Sequence, residues 1–390
     1  MPSASGLRPI GSDLSDSFRN SSRKGSSVSN RFVEQGLTAP VNLTWEVTLA
    51  CNLRCRHCLS SSGKSAKGEL ATGEALELVE EIGRAKVFQV NFGGGEPFLR
   101  PDFEEILAAC HERGIMTCIS TNGTLLDRAL VRRLGRTGLV AVQVSLDGAR
   151  AETCDSLRGP GTFEQALQAL RLLAGSPIPT SINAVLTATN ASEVPELYDF
   201  ARGLHVSLRV SRFRPSGRGE TNWTGLRPSL AQLLRFSEWL SRNGDVRTGD
   251  SFFSLIPQER QGLGLNLCGA AKLTCCVGPT GDLFPCAFLQ RDEFRAGSLR
   301  ERSFQEIWDG SPVYRSFRSL RIHSCEECRC FEQCHGGCPA VAYHLGSGIT
   351  GGDPECLVNC VTTLDAEDSV RGRPGVGSSL VLSGGFHRYV

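Results

Sequence analysis

Between Val41 and Phe213 the chain alternates short apolar runs with amphipathic stretches, and this alternation restricts its fold more than any other property. The runs at 42–49, 87–92, 115–120, 141–146, 180–187 and 206–213 read as strands. Between them TGEALELVEEIGRA, PDFEEILAACHERG, DRALVRRLGRTG, TFEQALQALRLLAG and SEVPELYDFARGLH carry apolar residues at helical spacing, and SLAQLLRFSEWLSRN follows the last run. Thr72, Asp127, Thr162 and Ser192 stand where helix caps are expected, and several helices end near glycine. Six β–α units predict parallel strands joined by right-handed crossovers. A doubly wound sheet and an incomplete (β/α) barrel both satisfy that, and both gather their chemistry at the carboxyl ends of the strands.

The residues of unusual chemistry fall at those ends. The first strand runs into CNLRCRHC, where Cys51, Cys55 and Cys58 share one short loop. A tetrahedral metal site normally takes four protein ligands, whereas three thiols cap three corners of a cubane iron–sulfur cluster and leave one iron open to a small chelating ligand. A zinc loop, redox chemistry and burial as small hydrophobes are the competing uses. GGGEP follows the second strand: Gly94 and Gly95 let backbone approach a ligand closely, and Glu96 can accept hydrogen bonds from an ammonium group. STNG offers Ser120 and Asn122 after the third strand; SLDG offers Ser145 and Asp147 after the fourth, or forms a plain Asx turn. Arg158, in CDSLRGPG, suits a carboxylate partner or an exposed turn. In LRVSRFRPSGRG, alternation puts Arg209, Ser211 and Phe213 on one face and Arg212 and Arg214 on the other. Arg209 is expected at the barrel mouth, where a two-point contact could hold a carboxylate. Trp45 and Trp308 are expected in the core.

Beyond residue 250 the thiols return. Cys268 is followed by twelve residues, Gly281, four residues and Cys286; then Cys325, Cys328, Cys334 and Cys338 are separated by two, five and three residues, and Cys356 by seventeen more. Two full four-iron clusters need eight thiolates, and either Cys275 or Cys276 is available as the eighth. Spacing alone leaves two zinc ions as the alternative.

Seventeen cysteines in a long chain with no export signal point to metal rather than disulfides. The balance of 42 basic against 41 acidic residues gives a net charge of +1 and no electrostatic case for nucleic acid or an anionic membrane. No run reaches the roughly eighteen apolar residues of a membrane span, so a cytoplasmic protein is expected. Residues 1–30 are rich in Ser, Arg and Asn and read as a disordered N-terminal tail, with Arg19, Arg23 and Lys24 as solvated charges.

The CxxxCxxC loop after strand one, the GGE element after strand two and the C-terminal cysteine spacings together resemble the radical S-adenosylmethionine (SAM) enzymes that carry a SPASM extension. The likeness runs from residue 32 to about 360, and NLTWEVTLACNLRCRHCLSSSG, NFGGGEP, RPSGRG, TGDSFF and GLNLCGA make it similar to the peptide maturases of mycofactocin biosynthesis. The resemblance implies an α/β fold: a partial (β/α)6 TIM-type barrel at 31–250, a small cysteine-rich SPASM domain at 251–362, and a disordered tail at 363–390. It implies three [4Fe-4S] clusters and SAM as cofactors. Cys51, Cys55 and Cys58 would hold the SAM-binding cluster. Cys268, Cys275, Cys286 and Cys338 would hold the first auxiliary cluster, and Cys325, Cys328, Cys334 and Cys356 the second. Gly94, Gly95, Glu96, Ser120, Asn122, Ser145, Asp147, Arg158 and Arg209 are the expected SAM contacts, with His57 beside the adenine.

The implied reaction is oxidative decarboxylation of the C-terminal tyrosine of a small precursor peptide, followed by a carbon–carbon bond to the preceding valine. A peptide-presenting recognition protein and a flavodoxin- or ferredoxin-type reductant would be its partners. Another SPASM-type peptide modification, a thioether or a different carbon–carbon crosslink, is the alternative; a nonenzymatic iron–sulfur protein is a more distant one. Ala287 and Phe288 follow Cys286 where some sulfatase-maturing relatives place an acid, which counts against formylglycine formation.

Overall fold

The computed structural model describes residues 37–138, 141–248, 268–328 and 331–357. The expected tails at 1–30 and 363–390, most of TGDSFF, the boundary near 251, Cys330 and Cys360 lie outside the described residues.

All six expected strands form: β1 (Asn42–Thr48), β2 (Gln89–Gly94), β3 (Met116–Thr121), β4 (Ala141–Ser145), β5 (Thr180–Leu186) and β6 (Ser207–Arg212). Each pairs in parallel with the next. The spatial order β6-β5-β4-β3-β2-β1 follows the chain without reversal. A doubly wound sheet needs such a reversal to place helices on both faces. Right-handed crossovers that always advance in one direction put every helix on one face, so the sheet curls with its bare face inward and the incomplete barrel is the outcome.

Strand alternation separates the two faces. Val90, Phe92, Ile119, Val142, Val144, Ile182, Leu208 and Val210 are fully or almost fully buried on the helix side. Between them Asn91, Cys118, Ser120, Gln143, Asn183 and Arg209 are half-buried on the inner side. The barrel interior is therefore a polar chamber rather than an apolar core. Trp45 is fully buried and stacks in a chain of rings with Phe92 and Phe103.

The intervening helices include α1 (Thr72–Arg84), α2 (Phe103–Glu112), α3 (Arg128–Leu134), α4 (Ala151–Arg158), α5 (Thr162–Ala174) and α6 (Val194–Gly203). Asp127 caps α3 as expected, accepting from Leu130 N at 2.7 Å. The other three caps differ. Thr72 is already helical, and Glu74 reaches back to Ala71 N at 2.8 Å. Thr162 is helical too, because Asp155 from α4 takes the free N–H groups of Gly161 and Phe163. Glu193, not Ser192, directly precedes α6.

The cysteine-rich part extends the same sheet. β7 (Thr274–Val277) pairs in parallel with β1, and β8 (Asp282–Phe284) and β9 (Gly297–Ser298) continue antiparallel to a nine-stranded sheet. Trp308 is fully buried and its indole N–H donates to Leu37 O at 2.8 Å. Among the described residues no helix is long and apolar enough to cross a membrane.

Candidate cofactor site

The loop Cys51–Cys58 leaves the carboxyl end of β1 and is braced on every side. Cys51 N donates to Gly63 O and Arg56 N to Leu157 O, at 3.0 and 2.9 Å. From the RPSGRG turn after β6, Arg218 donates to Cys55 O at 2.9 Å and Ser62 O at 2.7 Å, and Gly219 N donates to Cys58 O. That turn passes so close that a Cβ on Gly217 would stand 2.3 Å from Leu59 O. Held this way, the three thiols are half-buried on one short loop, and burial pushes the Cys51 and Cys55 thiols up. Thiols in that setting gain from a metal that takes the thiolate form.

GGGEP lies directly against this loop. Gly95 N donates to Thr48 O and Glu96 N to Ala50 O, at 2.7 and 2.8 Å. A Cβ on Gly95 would fall 2.0 Å from Ala50 O, so the close approach expected of these glycines is between two strand exits. Gly94 adopts φ +110°. Glu96 is fully buried; Thr121 Oγ1 and Asn122 N donate to its two oxygens at 2.8 Å each. Burial still raises its pKa to about 7. An ammonium placed against it would favour the ionised form, so the donor set fits a bound amino acid.

The remaining expected contacts divide. Ser120 and Ser145 are half-buried at the inner ends of β3 and β4. Asn122 is not free to face a ligand with its amide: Nδ2 donates to Asn52 Oδ1 at 2.9 Å, and Oδ1 accepts from Thr124. It ties the third strand exit to the cysteine loop. Asp147, expected as a direct contact, has both oxygens committed inside the protein. Oδ1 accepts from Val185 N at 2.6 Å; Oδ2 meets Arg158 Nε at 2.6 Å and His57 Nε2 at 3.0 Å. Burial opposes its charge, yet Arg158 and His57 hold the carboxyl well below the usual carboxylate range. His57 therefore pairs with Asp147 instead of standing free for an adenine. Arg158 Nη1 lies 3.8 Å from Cys55 Sγ, which puts a fixed cation beside the thiol loop.

Arg209 is the clearest displacement. It is the third of six residues in β6, opposite Asn183, and its charge acts on the Cys118 thiol across the chamber. It faces the interior below the mouth, because β6 continues to Arg212 before it ends.

In the second set, thiols act electrostatically on one another in two sets. Cys286 has Cys268 and Cys338 as electrostatic neighbours, and Cys334 has Cys356, Cys328 and Cys325. Cys275 is fully buried, and burial pushes its thiol up to about 12, with Tyr314 and Arg318 beside it.

Two further residues escaped sequence reasoning. Glu69 clamps the exit of β1, accepting from Thr48 Oγ1, Leu49 N and Ala66 N. Glu46 is buried on β1 beside Ser60 and Gln290, and burial raises its pKa to about 7. A carboxylate inside the run NLTWEVT was the available signal.

The sequence and the fold are both similar to known proteins. The model of the radical SAM superfamily matches residues 45–201, and that of the SPASM iron–sulfur cluster-binding domain matches 268–335. Mycofactocin maturase MftC of Mycobacterium tuberculosis is 42% identical over 332 residues, 83% of this chain and 84% of the relative. The protein of that name from Mycolicibacterium smegmatis is 40% identical over 87% of this chain and 88% of its own length. AdoMet-dependent heme synthase of Methanosarcina barkeri is 30% identical over 82% and 97%. Among solved structures, Streptococcus suis SuiB bound to S-adenosylmethionine superposes with a TM-score of 0.69 at 22% identity, covering 83% of this chain and 78% of SuiB. The structure of anSMEcpe with bound AdoMet gives 0.65 at 20% identity, over 83% and 99%.

Proposed function

This chain belongs to the radical SAM enzymes with a SPASM iron–sulfur extension, in the family of the mycofactocin maturases, and from that premise we propose that it oxidatively decarboxylates the C-terminal tyrosine of a small precursor peptide and joins it to the preceding valine. It is a radical SAM peptide maturase, with SAM and [4Fe-4S] clusters as cofactors. SuiB, of the same fold, has been crystallised with its precursor peptide SuiA. A precursor peptide is the substrate proposed here, delivered by a recognition protein and with a flavodoxin- or ferredoxin-type reductant as electron source.

One observation carries the oxidative part of this reading. Because β7 pairs with β1, the cysteine-rich part flanks the strand that delivers Cys51, Cys55 and Cys58. The SAM cluster, once reduced, supplies a 5′-deoxyadenosyl radical that can take a hydrogen atom from the peptide. Loss of CO2 then leaves one electron and one proton to be removed, and a cluster held by the thiols of the cysteine-rich part would supply an acceptor for the electron. Cys51, Cys55 and Cys58 would hold the first cluster; Gly94, Gly95 and Glu96 would take the ammonium of SAM, and Arg158 its carboxylate. Asn122, Asp147 and Arg218 keep that cradle in place through Asn52, Arg158 and the Cys55 carbonyl. The half-buried polar side chains of the chamber, Asn91, Gln143, Asn183 and Arg209, line the space where a peptide backbone and its terminal carboxylate would lie.

Anaerobically reconstituted protein, SAM and dithionite, with a peptide ending in Val-Tyr and its presenting protein, test this. The expected product has lost CO2 and two hydrogens, in step with 5′-deoxyadenosine, and a second SAM-dependent product has the same mass change with the crosslink in place. Cys51→Ala abolishes both. Formation of 5′-deoxyadenosine with an unchanged peptide refutes the substrate and leaves the enzyme class standing.

A further inference from the structure

We infer that the cleft between α3 and α5 docks a small electron-carrier protein with an acidic face, which reduces the first cluster; this rests on the reductant reading given above. On α3, Arg128 and Arg132 stand four residues apart and share one face, and on α5 Gln168, Arg171 and Leu172 do the same. The two faces meet in an open cleft of about 730 Å3, completed by Asp127 and Ala129. Arg128, Arg132 and Arg171 are exposed, and among the described residues none of the three has a side-chain hydrogen bond or ion pair. Asp127, the carboxylate lining the cleft, already accepts from Leu130 N. Arg133, one position on, is neutralised by Glu104 at 2.8 Å. Like charges four residues apart repel and weaken a helix, so the fold gains nothing from leaving this trio without counter-charge. An anionic partner would gain from it.

Packed contacts join this cleft to the cysteine loop. Asn52, next to Cys51, donates to Thr124 Oγ1 at 2.7 Å and accepts from Asn122 Nδ2 at 2.9 Å. Between those two, Gly123 lies so close to α5 that a Cβ there would stand 3.0 Å from Ala169 Cβ and 3.5 Å from Ala166 Cα. Ala169 adjoins Gln168, and the Gly123 loop runs on through exposed Leu125 to Asp127 and Arg128. A partner seated in the cleft therefore sits beside the loop of Cys51, Cys55 and Cys58, on the β3 side of β1 and away from β7 and the cysteine-rich part. Arg54 and Arg56, exposed on the loop itself, add positive charge around Cys55. The first cluster takes its electron from outside the chain, and a protein donor has to bring its own redox centre to this loop. A flavin or iron–sulfur carrier with an acidic rim meets the arginines with complementary charge, while Leu125 and Leu172 offer apolar contact. The net charge of +1 for the whole chain does not oppose this, because the positive surface is local.

The test gives the reconstituted full chain SAM and one of two electron sources, dithionite or a photoreduced flavodoxin or ferredoxin of net negative charge, and follows 5′-deoxyadenosine. Arg128→Glu, Arg132→Glu and Arg171→Glu together should leave iron content and the dithionite rate as in the parent. The same variant should lose about tenfold or more of the carrier-driven rate at low ionic strength. Added salt should slow the parent with the carrier and narrow its gap to the variant, because the attraction is screened. Arg128→Lys, Arg132→Lys and Arg171→Lys together should keep most of the rate, since steering needs the charge rather than the guanidinium fork. Reversal of three exposed cations elsewhere, Arg84→Glu, Lys86→Glu and Arg235→Glu, should change the carrier-driven rate far less. A first variant that keeps the parent's carrier-driven rate, or loses both rates alike, or is matched by the second reversal, overturns the inference. So does a first variant with a normal carrier-driven rate whose dithionite-driven turnover of the peptide needs more presenting protein, which assigns the cleft to that protein instead. A parent active with dithionite but with neither carrier overturns the reductant reading and the inference with it.

Discussion

Glu46 brings a carboxyl group into a dry interior, and its titration should be visible in the stability of the whole chain. Burial raises its pKa from the ordinary 4.5 to about 7, with hydrogen bonds from Gln290 and Ser60 offsetting only part of that. The folded state thus keeps the proton to about pH 7, whereas the unfolded chain releases it near 4.5. The stabilisation is fully present below about 4.5 and is lost as pH rises through 7, reaching about 3 kcal/mol of relative loss at pH 8. Glu46→Gln, neutral throughout, should match the parent near pH 4.5 and melt several degrees higher at pH 8. Anaerobic thermal melts at the two pH values check this, and parallel pH profiles for parent and variant would rule it out.

At the scale of single elements, the end of β6 is the joint between barrel and cysteine-rich part. Arg212 is buried and makes a two-point contact with Asp353, Nη1 to Oδ2 at 2.6 Å and Nη2 to Oδ1 at 2.8 Å, while Nη2 also donates to Glu355 at 2.9 Å. Asp353 in turn accepts from Cys338 N at 3.1 Å, and its own carbonyl accepts from Cys356 N at 3.0 Å. One guanidinium thereby organises backbone beside thiols of both auxiliary groups. Arg212→Met keeps the length and removes the charge, leaving two buried carboxylates without their main partner, and should cost about 3–5 kcal/mol. Denaturant melts measure the total, and hydrogen exchange should show the amides of Cys338 and Glu355 opening first. A loss under about 1 kcal/mol would show that the clasp is not what holds this joint. Contacts of this kind also mark where sequence reading ends. The six strands were legible to within two or three residues because alternation is a local property. The thiol spacings were legible for the same reason. Arg212 and Asp353 are 141 positions apart, and nothing in either neighbourhood signals the other. Asp147 and Asn122 sat at the expected strand ends, but which neighbour takes their hydrogen bonds is decided by tertiary pairing.

For the molecule as a whole, one sheet runs through both parts, and the two are not independent in consequence. β1 is central, with β2 on one side and β7 on the other. Val41 N and Asn42 N donate to Leu273 O, and the Leu37 carbonyl accepts from the buried Trp308 indole. Across the same seam Arg300 forms a two-point contact with Glu74 on α1, at 2.6 and 2.9 Å, and Glu81 accepts from Phe304 N. Ending the chain at residue 250 would strip β1 of its partner and leave a parallel edge flanked by Leu43, Trp45 and Val47, all of them fully buried in the intact chain. An unprotected apolar edge recruits other strands. The fragment 31–250 should therefore form soluble aggregates or inclusion bodies, even though it contains the entire SAM-binding loop and all six β–α units. Co-expression with 251–362 should return part of it to a discrete 1:1 species by restoring the β1–β7 pairing. Size-exclusion chromatography with light scattering reads both outcomes. A monomeric 31–250 fragment that melts cooperatively would mean that the barrel closes its own edge and that the cysteine-rich part is an appended module rather than a structural half of the fold.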